Sequence, residues 1–328
     1  MDLSRLKGSS ALVTGASGLI GRNIVARLLA CECATVYALV RDEVKARKAF
    51  AALPQGNLRY IAQDICKLQP KDMGVDYIIH CASHTASKDF IERPVDVIVD
   101  ILTGARNILE FAKVNNSRSL VYLSSMEVYG SPTDGSKVYE TSASHLDTMA
   151  VRSSYPEAKR ACECLCAAYA AQYNVNAKAV RLTQTFGRGV SYNDKRVFAE
   201  FARCAIEGRD IVLKTKGETM RNYLSTDDAA DAILTVLLDG KAGEAYNAAN
   251  EDTYCSICDM AHMVADNFGQ GRVSVRIEEQ DIALFGYAPT LKMDLSAAKL
   301  KALGWSAKKG LKEMFAETIE DMKKQAAD

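Results

Sequence analysis

Short apolar runs alternate with longer segments of helical periodicity through the first half of the chain. Runs such as SALVTG, TVYALV and SLVYLSS are apolar almost throughout, which is typical of strands buried on both faces. Between the runs lie segments with helical spacing, including LIGRNIVARLLACE, residues 43–52 and residues 94–115. This order indicates a parallel sheet covered by helices on both sides. NAKAVRLTQTFG is expected to form a sixth strand that runs into a loop.

From about Phe186 the predicted segments become shorter. They comprise the strands DIVLKT, RNYLST and EAYNAA, helices near residues 226–238 and 256–268, and a basic amphipathic helix towards the C-terminus. We therefore expect a first domain over residues 1–185 and a smaller lobe over residues 186–328. Segments such as 222–250 are expected to return to the first domain. A cleft between two such lobes is a usual place for a ligand.

Composition and charge narrow the class of partner. The chain has 328 residues, 48% of them hydrophobic, and 41 basic residues balance 41 acidic ones. A net charge of zero favours neither nucleic acid nor an anionic membrane surface, so a small-molecule partner is expected. No apolar run is long enough to span a membrane, and the N-terminal residues do not resemble a signal peptide. A cytoplasmic location is the expectation.

The ten cysteines do not indicate a metal site. Cys162, Cys164 and Cys166 alternate along one predicted helix, so they cannot all face one ion. Cys255 and Cys258 form a single CxxC without a second pair, and the four histidines have no zinc-like spacing. We expect free cysteines that pack as small apolar residues, and no metal.

The stretch VTGASGLIG places Gly15, Gly18 and Gly21 at GxxGxxG spacing between the first strand and the first helix. Glycines permit a tight turn and a close approach of the backbone, and the helix N-terminus offers free N–H groups to a pyrophosphate. In this strand–turn–helix context the motif predicts a dinucleotide site. Further cofactor contacts are expected from the loop and the first helical turn: Ser17, Leu19 and Ile20.

The end of the second strand bears on the choice of cofactor. An acidic residue there typically binds the ribose 2′-hydroxyl of NAD, whereas an arginine accommodates the 2′-phosphate of NADP. The chain reads ALVRDE, with Val40 where the acid is expected and Arg41 next. NADP is therefore favoured over NAD, unless Arg41 is only a solvated charge. Asp64 and Ile65, after the third strand, are expected beside the adenine.

Tyr155 and Lys159 stand four residues apart in SSYPEAKRACE, a stretch suited to a helix. Positions i and i+4 share one helix face, so the phenol and the ammonium can enter one pocket. A cation beside a phenol lowers the phenol pKa and creates a general base for a hydroxyl group. Taken alone, the pair also fits an ordinary surface helix.

Five motifs occur in a characteristic order: TGASGLIG, IIHCAS, LSSMEVYG, YPEAK and RLTQTFG. With them the chain resembles the extended short-chain dehydrogenase/reductase family, and within it the nucleotide-sugar epimerases, dehydratases and decarboxylases. The resemblance runs from Ala11 to about Phe268. It implies a Rossmann-type, doubly wound parallel sheet (α/β class) with a smaller C-terminal substrate-binding lobe. Tyr155 and Lys159 match the YxxxK pair of this family.

The resemblance implies roles for the residues around that pair. Tyr155 becomes the acid or base at a sugar hydroxyl, conventionally the one at C4, and Lys159 holds the nicotinamide ribose and lowers the tyrosine pKa. Ser125 bonds the same hydroxyl, with its neighbour Ser124 as a strand-end residue. Ala82 lies under the nicotinamide. Proton and hydride then leave the C4 carbinol together to give a 4-keto sugar.

Substrate contacts are expected from both lobes. Arg221, in GETMRNYLST, matches the residue that binds the nucleotide diphosphate, and guanidinium groups suit phosphate. Arg196, in a segment resembling the base-binding segment of UDP-glucuronate decarboxylases, is a second candidate. Both arginines also fit ordinary surface positions. Ser83 and Thr85 belong to a loop that frames the sugar in the same enzymes.

Three positions depart from the family pattern. Met126 follows Ser125 where dehydratases and decarboxylases often have a polar residue, although Glu127 remains available as an acid or base. Gln184 replaces an asparagine that usually contacts the phosphate side of the substrate. The predicted helix over residues 94–115 also lacks the asparagine that the family usually has before the glycine at position 104. These departures bear on the reaction more than on the fold.

A nucleotide-sugar epimerase that oxidises C4 transiently is the leading functional expectation. The alternatives are a decarboxylase or 4,6-dehydratase that uses Glu127, an NADPH-dependent reductase of a 4-keto sugar, and a non-catalytic NAD(P)-binding sensor. The presence of Ser125, Tyr155 and Lys159 together counts against the sensor.

A homodimer is also expected. Two helices carry apolar or small residues on more than one face, which suggests that their outer sides are covered. In the resembled family these helices pair across a two-fold axis. The residues concerned are Val97, Ile101, Ile108, Phe111, Ala161, Leu165, Ala168 and Tyr169. The smaller ones also fit packing against the chain's own sheet.

Overall fold

The computed structural model describes residues 2–280 and 290–327. Met1, Asp328 and residues 281–289 of the predicted second lobe lie outside the described residues. The described strands are β1 (Ser10–Thr14), β2 (Thr35–Val40), β3 (Leu58–Ala62), β4 (Tyr77–His80), β5 (Ser119–Ser125), β6 (Lys137–Val138), β7 (Ala177–Leu182), β8 (Gln184–Phe186), β9 (Ile211–Leu213), β10 (Met220–Ser225), β11 (Ala245–Ala248), β12 (Asn250–Ser256), β13 (Val275–Ile277) and β14 (Lys292–Leu295).

The described α-helices are α1 (Leu19–Ala30), α2 (Glu43–Ala49), α3 (Asp89–Glu92), α4 (Pro94–Val114), α5 (Ser154–Tyr173), α6 (Val197–Glu207), α7 (Thr226–Asp239), α8 (Ile257–Phe268), α9 (Ala298–Lys301) and α10 (Leu311–Ala327). Across residues 2–280 and 290–327, no helix combines the length and apolarity needed to cross a membrane.

Seven parallel strands form the main sheet, in the order β11-β7-β5-β4-β1-β2-β3. Strand order reverses beside β1, as in doubly wound folds. Helices α1 and α7 pack on one face around Ile24 and Leu28, and α4 and α5 pack on the other around Ile108 and Cys162. Both faces are therefore covered, which explains the continuous apolar runs of the strands. The predicted Rossmann-type fold is confirmed.

Most of the apolar residues expected to face a partner subunit lie inside the chain's own core. Val97, Ile101, Ile108, Phe111 and Tyr169 are buried between α4, α5 and the sheet. Leu165 packs partly against the same core. Because these side chains are already covered within one chain, they do not support the presence of a second subunit.

The outer side of α4 nevertheless exposes other apolar side chains. Val95 is 71% exposed and Val99, one turn later, is 53% exposed, with Ile98 beside them at 36%.

The second lobe is built on a smaller, mixed sheet. Its strand order is β12-β10-β14-β6, and β8 pairs with β10. Helices α6, α8 and α10 enclose an aromatic core in which Phe186 stacks on Phe198 at 4.5 Å and meets the edge of Phe315 at 5.0 Å. Two further short strands, β9 and β13, pair in parallel.

The stretch predicted as one sixth strand divides between the two sheets. β7 pairs with β5 and β11 in the main sheet, whereas β8 pairs with β10 in the smaller one. Thr183 lies between them, and its amide donates to the Ala248 carbonyl while its hydroxyl donates to the Asn222 carbonyl. The chain thus passes directly from one sheet into the other, which a continuous apolar run does not reveal.

Candidate active site

The predicted site residues follow the carboxyl ends of the parallel strands. Gly15 comes after β1, Arg41 after β2, Asp64 after β3 and Ala82 after β4, while Ser125 ends β5. Because parallel strands present their carboxyl ends at one edge of the sheet, these residues share that edge. In open α/β sheets the ligand crevice lies there.

The loop after β1 requires its glycines. Gly15 has φ +61°, and a Cβ atom at this position would lie 2.8 Å from the Ala82 Cα and backbone N. A Cβ at Gly21 would lie 2.3 Å from the Gly15 carbonyl oxygen. Helix α1 begins after Gly18, where no side chain caps its N-terminus. The loop therefore brings free backbone N–H groups close to any ligand above it, which fits the pyrophosphate of a dinucleotide.

The neighbouring cofactor candidates flank this loop. Ser17 is half-buried within it, and Leu19 and Ile20 form the first turn of α1. The backbone N–H of Ala82 donates to the Thr14 hydroxyl over 3.1 Å. This bond ties the end of β4 to the end of β1 and fixes the position of Ala82.

The side chains of Arg41 and Asp42 differ in the contacts that they make. Arg41 is exposed at the end of β2. Asp42 caps α2, and its Oδ1 accepts the Lys45 amide at 2.9 Å. Asp64 similarly accepts the Cys66 amide at 2.9 Å, and its half-buried neighbour Ile65 packs towards α4.

Tyr155 and Ser125 meet where α5 passes the end of β5. Tyr155 is 8% exposed, and its ring stacks on Phe90 with centroids 4.3 Å apart and planes within 9°. The Ser125 hydroxyl is close enough to the phenol to lower its pKa. A hydroxyl and a phenol placed side by side can both reach one substrate hydroxyl group.

The electrostatic surroundings of Tyr155 differ from the sequence-based expectation. Burial raises its pKa well above the usual range, and the negative charge of Glu127 raises the pKa further. The nearby Ser125 hydroxyl and the positive charge of Arg152 lower it. The expected net lowering of the pKa by Lys159 is therefore wrong, because desolvation disfavours the phenolate more than its neighbours favour it.

Lys159 is almost fully buried, with 3% of its surface exposed. Its ammonium donates to the Leu123 carbonyl at 2.7 Å and lies 4.7 Å from the centre of the Tyr122 ring. Burial lowers the pKa of Lys159 to about 8. Burial and the nearby Lys159 charge together lower the pKa of His80 to about 3, so this histidine is neutral.

Glu127 forms an ion pair with Arg152. The Arg152 guanidinium donates from Nη1 to Oε2 at 2.8 Å and from Nη2 to Oε1 at 3.3 Å. Met126, between Ser125 and Glu127, is buried, and the Thr183 hydroxyl lies 3.5 Å from its sulfur. The position after Ser125 therefore supplies no acid or base.

A polar network supports the end of β5 from behind. Glu163, one turn after Lys159 on α5, accepts a hydrogen bond from the Ser124 hydroxyl. The Arg181 guanidinium donates to Glu163 at 2.6 Å and to the Tyr129 hydroxyl at 2.7 Å. These contacts join α5, β5 and β7, and so fix the Ser125 backbone relative to Tyr155.

The substrate candidates divide into two groups. Gln184 on β8 pairs with Tyr223 on β10, two residues after Arg221, so Gln184 and Arg221 lie on adjacent strands. Within the described chain, the Nε atom of Arg221 is buried and has no hydrogen-bond partner. Such an unpartnered buried donor is costly and fits an anionic ligand.

The other three candidates are placed differently. Arg196 pairs with Asp194 through Nη2 at 2.6 Å, so its guanidinium is already engaged. The Ser83 hydroxyl donates to the His84 carbonyl at 3.2 Å, and Thr85 is exposed in the same loop. The His84 ring lies 2.8 Å from the Asp100 carboxylate, which joins this loop to α4.

Sequence reasoning did not identify Arg152 or Phe90 as neighbours of Tyr155. Arg152 stands three residues before Tyr155, and its charge beside the YxxxK motif was an available signal. Phe90 comes from α3, and no local pattern connects it with Tyr155. Within residues 2–280 and 290–327, no cluster of three or more histidine, cysteine or acidic side chains is arranged to hold a metal ion.

Fold and site together define a dinucleotide-binding protein of the Rossmann class. The model of the NAD-dependent epimerase/dehydratase family matches residues 11–249, and the chain belongs to this family.

Curated relatives cover nearly the whole chain. A UDP-glucuronic acid decarboxylase from Xenopus tropicalis is 27% identical over 98% of this chain and 74% of its own length. A dTDP-D-glucose 4,6-dehydratase from Homo sapiens is 25% identical over 94% of this chain and 88% of its own length.

Solved structures share the fold. A UDP-glucose 4-epimerase from Thermotoga maritima, with UDP-glucose, superimposes with a TM-score of 0.83 at 20% identity and covers 97% of this chain and 99% of that one. A dTDP-glucose 4,6-dehydratase from Streptomyces venezuelae, with NAD bound, gives a TM-score of 0.81 at 21% identity, covering 97% and 98%.

Proposed function

We propose that the chain is an enzyme that oxidises C4 of a nucleotide-diphosphate sugar as the first step of its reaction. The observation that carries this proposal is the placement of the Ser125 hydroxyl beside the buried Tyr155 phenol at the carboxyl edge of the main sheet. The fixed glycine loop shares this edge, and the buried Lys159 lies one turn further along α5.

The cofactor is held by the glycine loop and the residues that follow the next strands. Gly15, Gly18 and Gly21 bring the backbone to the pyrophosphate, Asp64 and Ile65 flank the adenine, and Ser17, Leu19, Ile20 and Ala82 complete the site. NAD or NADP bound there supplies the hydride acceptor. Arg41, exposed and next to the capping residue Asp42, favours NADP because its guanidinium has no ion-pair partner among residues 2–280 and 290–327 and suits a 2′-phosphate.

The side chains of the site have separate roles in proton transfer and in binding the cofactor and substrate. Ser125 and Tyr155 both bond the substrate hydroxyl, and the phenolate form of Tyr155 accepts its proton. Lys159 holds the ribose hydroxyls with its remaining donors, since one of them already bonds the Leu123 carbonyl. Arg221, with its unpartnered Nε, binds the diphosphate beside Gln184.

Decarboxylation of a nucleotide-linked uronic acid is the overall reaction that we propose. The curated relatives named as UDP-glucuronic acid decarboxylases support it. A ketone at C4 makes the C5 carboxylate a β-keto acid, so the C5–carboxylate bond breaks, CO₂ leaves and the electron pair passes to the enolate. C5 then takes a proton, and return of the hydride to the C4 ketone closes a redox-neutral reaction. Dehydration needs an additional acid or base, which Met126 cannot supply.

Epimerisation at C4, the leading expectation from the sequence, is the second candidate. The observation that favours it is the Arg152 ion pair, which engages both oxygens of Glu127. Epimerisation needs no acid or base besides the group at the C4 hydroxyl.

Product analysis separates these candidates. Purified protein is incubated with UDP-glucuronate, UDP-glucose and other nucleotide sugars, each with NAD⁺ or NADP⁺, and products are read by mass spectrometry and NMR. Loss of CO₂ from UDP-glucuronate supports decarboxylation. A product of unchanged mass with inverted C4 supports epimerisation and rejects decarboxylation.

The assembly that we propose is a homodimer through the outer face of α4. Val95 and Val99, largely exposed on adjacent turns, form the centre of this face. A two-fold contact would place the same residues of both copies together.

A further inference from the structure

The ion pair of Arg152 and Glu127 lies beside Tyr155. Arg152 belongs to the 3-10 turn Val151–Ser153, directly before α5, and Glu127 belongs to the 3-10 turn Met126–Tyr129, directly after β5. The side chains are 33% and 27% exposed. Both guanidinium Nη atoms reach the carboxylate, a geometry that fixes the orientation of the acid.

Two contacts connect this pair with Tyr155. Phe90 stacks on the Tyr155 ring at 4.3 Å, and the guanidinium carbon of Arg152 lies 5.8 Å from the centre of the Phe90 ring. The charges of Glu127 and Arg152 also act on the phenol in opposite directions: the carboxylate raises its pKa and the guanidinium lowers it. Arg152 therefore offsets part of the effect of Glu127 at the proposed acid–base residue.

We infer that Arg152 is a positioning residue of the reaction: it holds the Glu127 carboxylate in a fixed orientation and shields Tyr155 from its negative charge. This inference rests on the proposed function, in which Tyr155 accepts the substrate proton. Arg152 itself need not touch the substrate. A guanidinium suits this role because it stays charged at every working pH.

The remaining charged and titratable neighbours are unchanged in the experiment below. On the elements around Tyr155 they are His80 on β4, Tyr122 on β5, Lys159 and Cys162 on α5, Asp89 on α3, and Asp100 on α4 with its partner His84. Any difference between the pH profiles of the Arg152 and Glu127 variants therefore comes from these two side chains.

The test is the pH profile of kcat/KM on the substrate identified by product analysis, because this profile reports groups of the free enzyme. Arg152→Gln should raise the limiting pKa by about one unit, since it leaves Glu127 unbalanced. Below that pKa, this shift corresponds to about a tenfold loss of kcat/KM. Glu127→Gln should shift the pKa in the opposite direction, and the double variant should return close to the wild-type value.

Three further variants complete the design. Arg152→Lys keeps the charge without the planar fork, so it should recover most of the shift. Arg160→Gln is the matched control, because Arg160 lies on α5 and pairs with Glu157 at the surface. Its profile should equal that of the wild type. Thermal melts establish that each variant is folded, and Glu127→Gln keeps the test decisive if Arg152→Gln does not fold.

The outcomes separate this inference from the proposed function. Equal limiting pKa values in Glu127→Gln and wild type, or shifts of the same sign in Glu127→Gln and Arg152→Gln, would overturn the positioning role. If Tyr155→Phe nevertheless loses turnover, the proposed function stands without it. Turnover by Tyr155→Phe would contradict both the proposed function and the positioning role of Arg152.

Discussion

The ammonium of Lys159 lies 5.7 Å from the centre of the Tyr155 ring and is bonded to the Leu123 carbonyl. The i, i+4 pair thus shares one helix face, as its spacing predicts, but the lysine is anchored to strand β5. Its buried charge costs stability, because burial disfavours an ammonium without a carboxylate partner.

Lys159→Met should therefore stabilise the protein at pH 7 while it abolishes turnover. The folded pKa of about 8 lies below the ordinary value of 10.5. At pH values between these two pKa values, the unfolded wild type binds more protons than the folded wild type. The free energy of unfolding of the wild type therefore rises with pH, and the stability advantage of Lys159→Met becomes smaller. We expect a gain of about 1–3 kcal/mol at pH 7.

Denaturant unfolding at pH 7 and at about pH 9 measures this difference. Lys88→Met is the control: Lys88 is 77% exposed, and its substitution should change the free energy of unfolding by no more than about 0.5 kcal/mol. A marked loss of stability in Lys159→Met at pH 7 would show that the ammonium is stabilising and contradict this account.

Arg41→Ala should remove a preference for NADP(H). Wild-type protein is expected to bind NADP(H) about tenfold or more tightly than NAD(H), because a charge-assisted bond to the 2′-phosphate adds affinity. Calorimetric titration of both cofactors measures the ratio, with Arg47→Ala on α2 as the control. Equal affinities in the wild type would make NAD the cofactor of first choice.

Glu163→Gln should destabilise the protein by about 3–5 kcal/mol, because it leaves Arg181 without its carboxylate. The side chains of this pair are only 12% and 14% exposed. Glu157→Gln, which removes the exposed pair with Arg160, should cost about 0.5 kcal/mol or less. Equal unfolding midpoints for the two variants would show that the Glu163 network adds nothing to stability.

Light scattering tests the proposed dimer. The wild type should have twice the mass of one 35.8 kDa chain, and Val99→Asp should shift it towards a single chain by placing a charge in the apolar contact. Val44→Asp is the control, since Val44 is 81% exposed on α2, away from that face. A wild-type mass of one chain would reject the dimer.

Local patterns predicted the fold well. Continuous apolar runs identified the buried parallel strands, and the GxxGxxG spacing placed Gly15 and Gly21 where any Cβ would collide with backbone. Strands β6, β13 and β14 were missed because they are short, and β12 was missed because most of its residues are polar. The division of the sixth predicted strand was missed because its cause, the pairing of β8 with β10, joins residues far apart in sequence.

The site was only partly predictable for the same reason. Spacing alone places Tyr155 beside Lys159, but the pKa of Tyr155 depends on burial and on Glu127 and Arg152, which arrive from other elements. The stacking of Phe90 on Tyr155 likewise depends on how α3 packs against α5. Such tertiary contacts leave no periodic signal in the sequence.

Turnover of UDP-glucuronate by wild type and Tyr155→Phe, followed by NMR with NAD⁺ or NADP⁺ present, tests the central claim most directly. The phenol touches the reacting hydroxyl, so its removal should lower kcat by about 10²-fold or more while the melting temperature stays close to that of the wild type. If UDP-glucuronate is not consumed, the same comparison is made on whichever nucleotide sugar the wild type converts. Turnover by folded Tyr155→Phe at the wild-type rate would contradict the account.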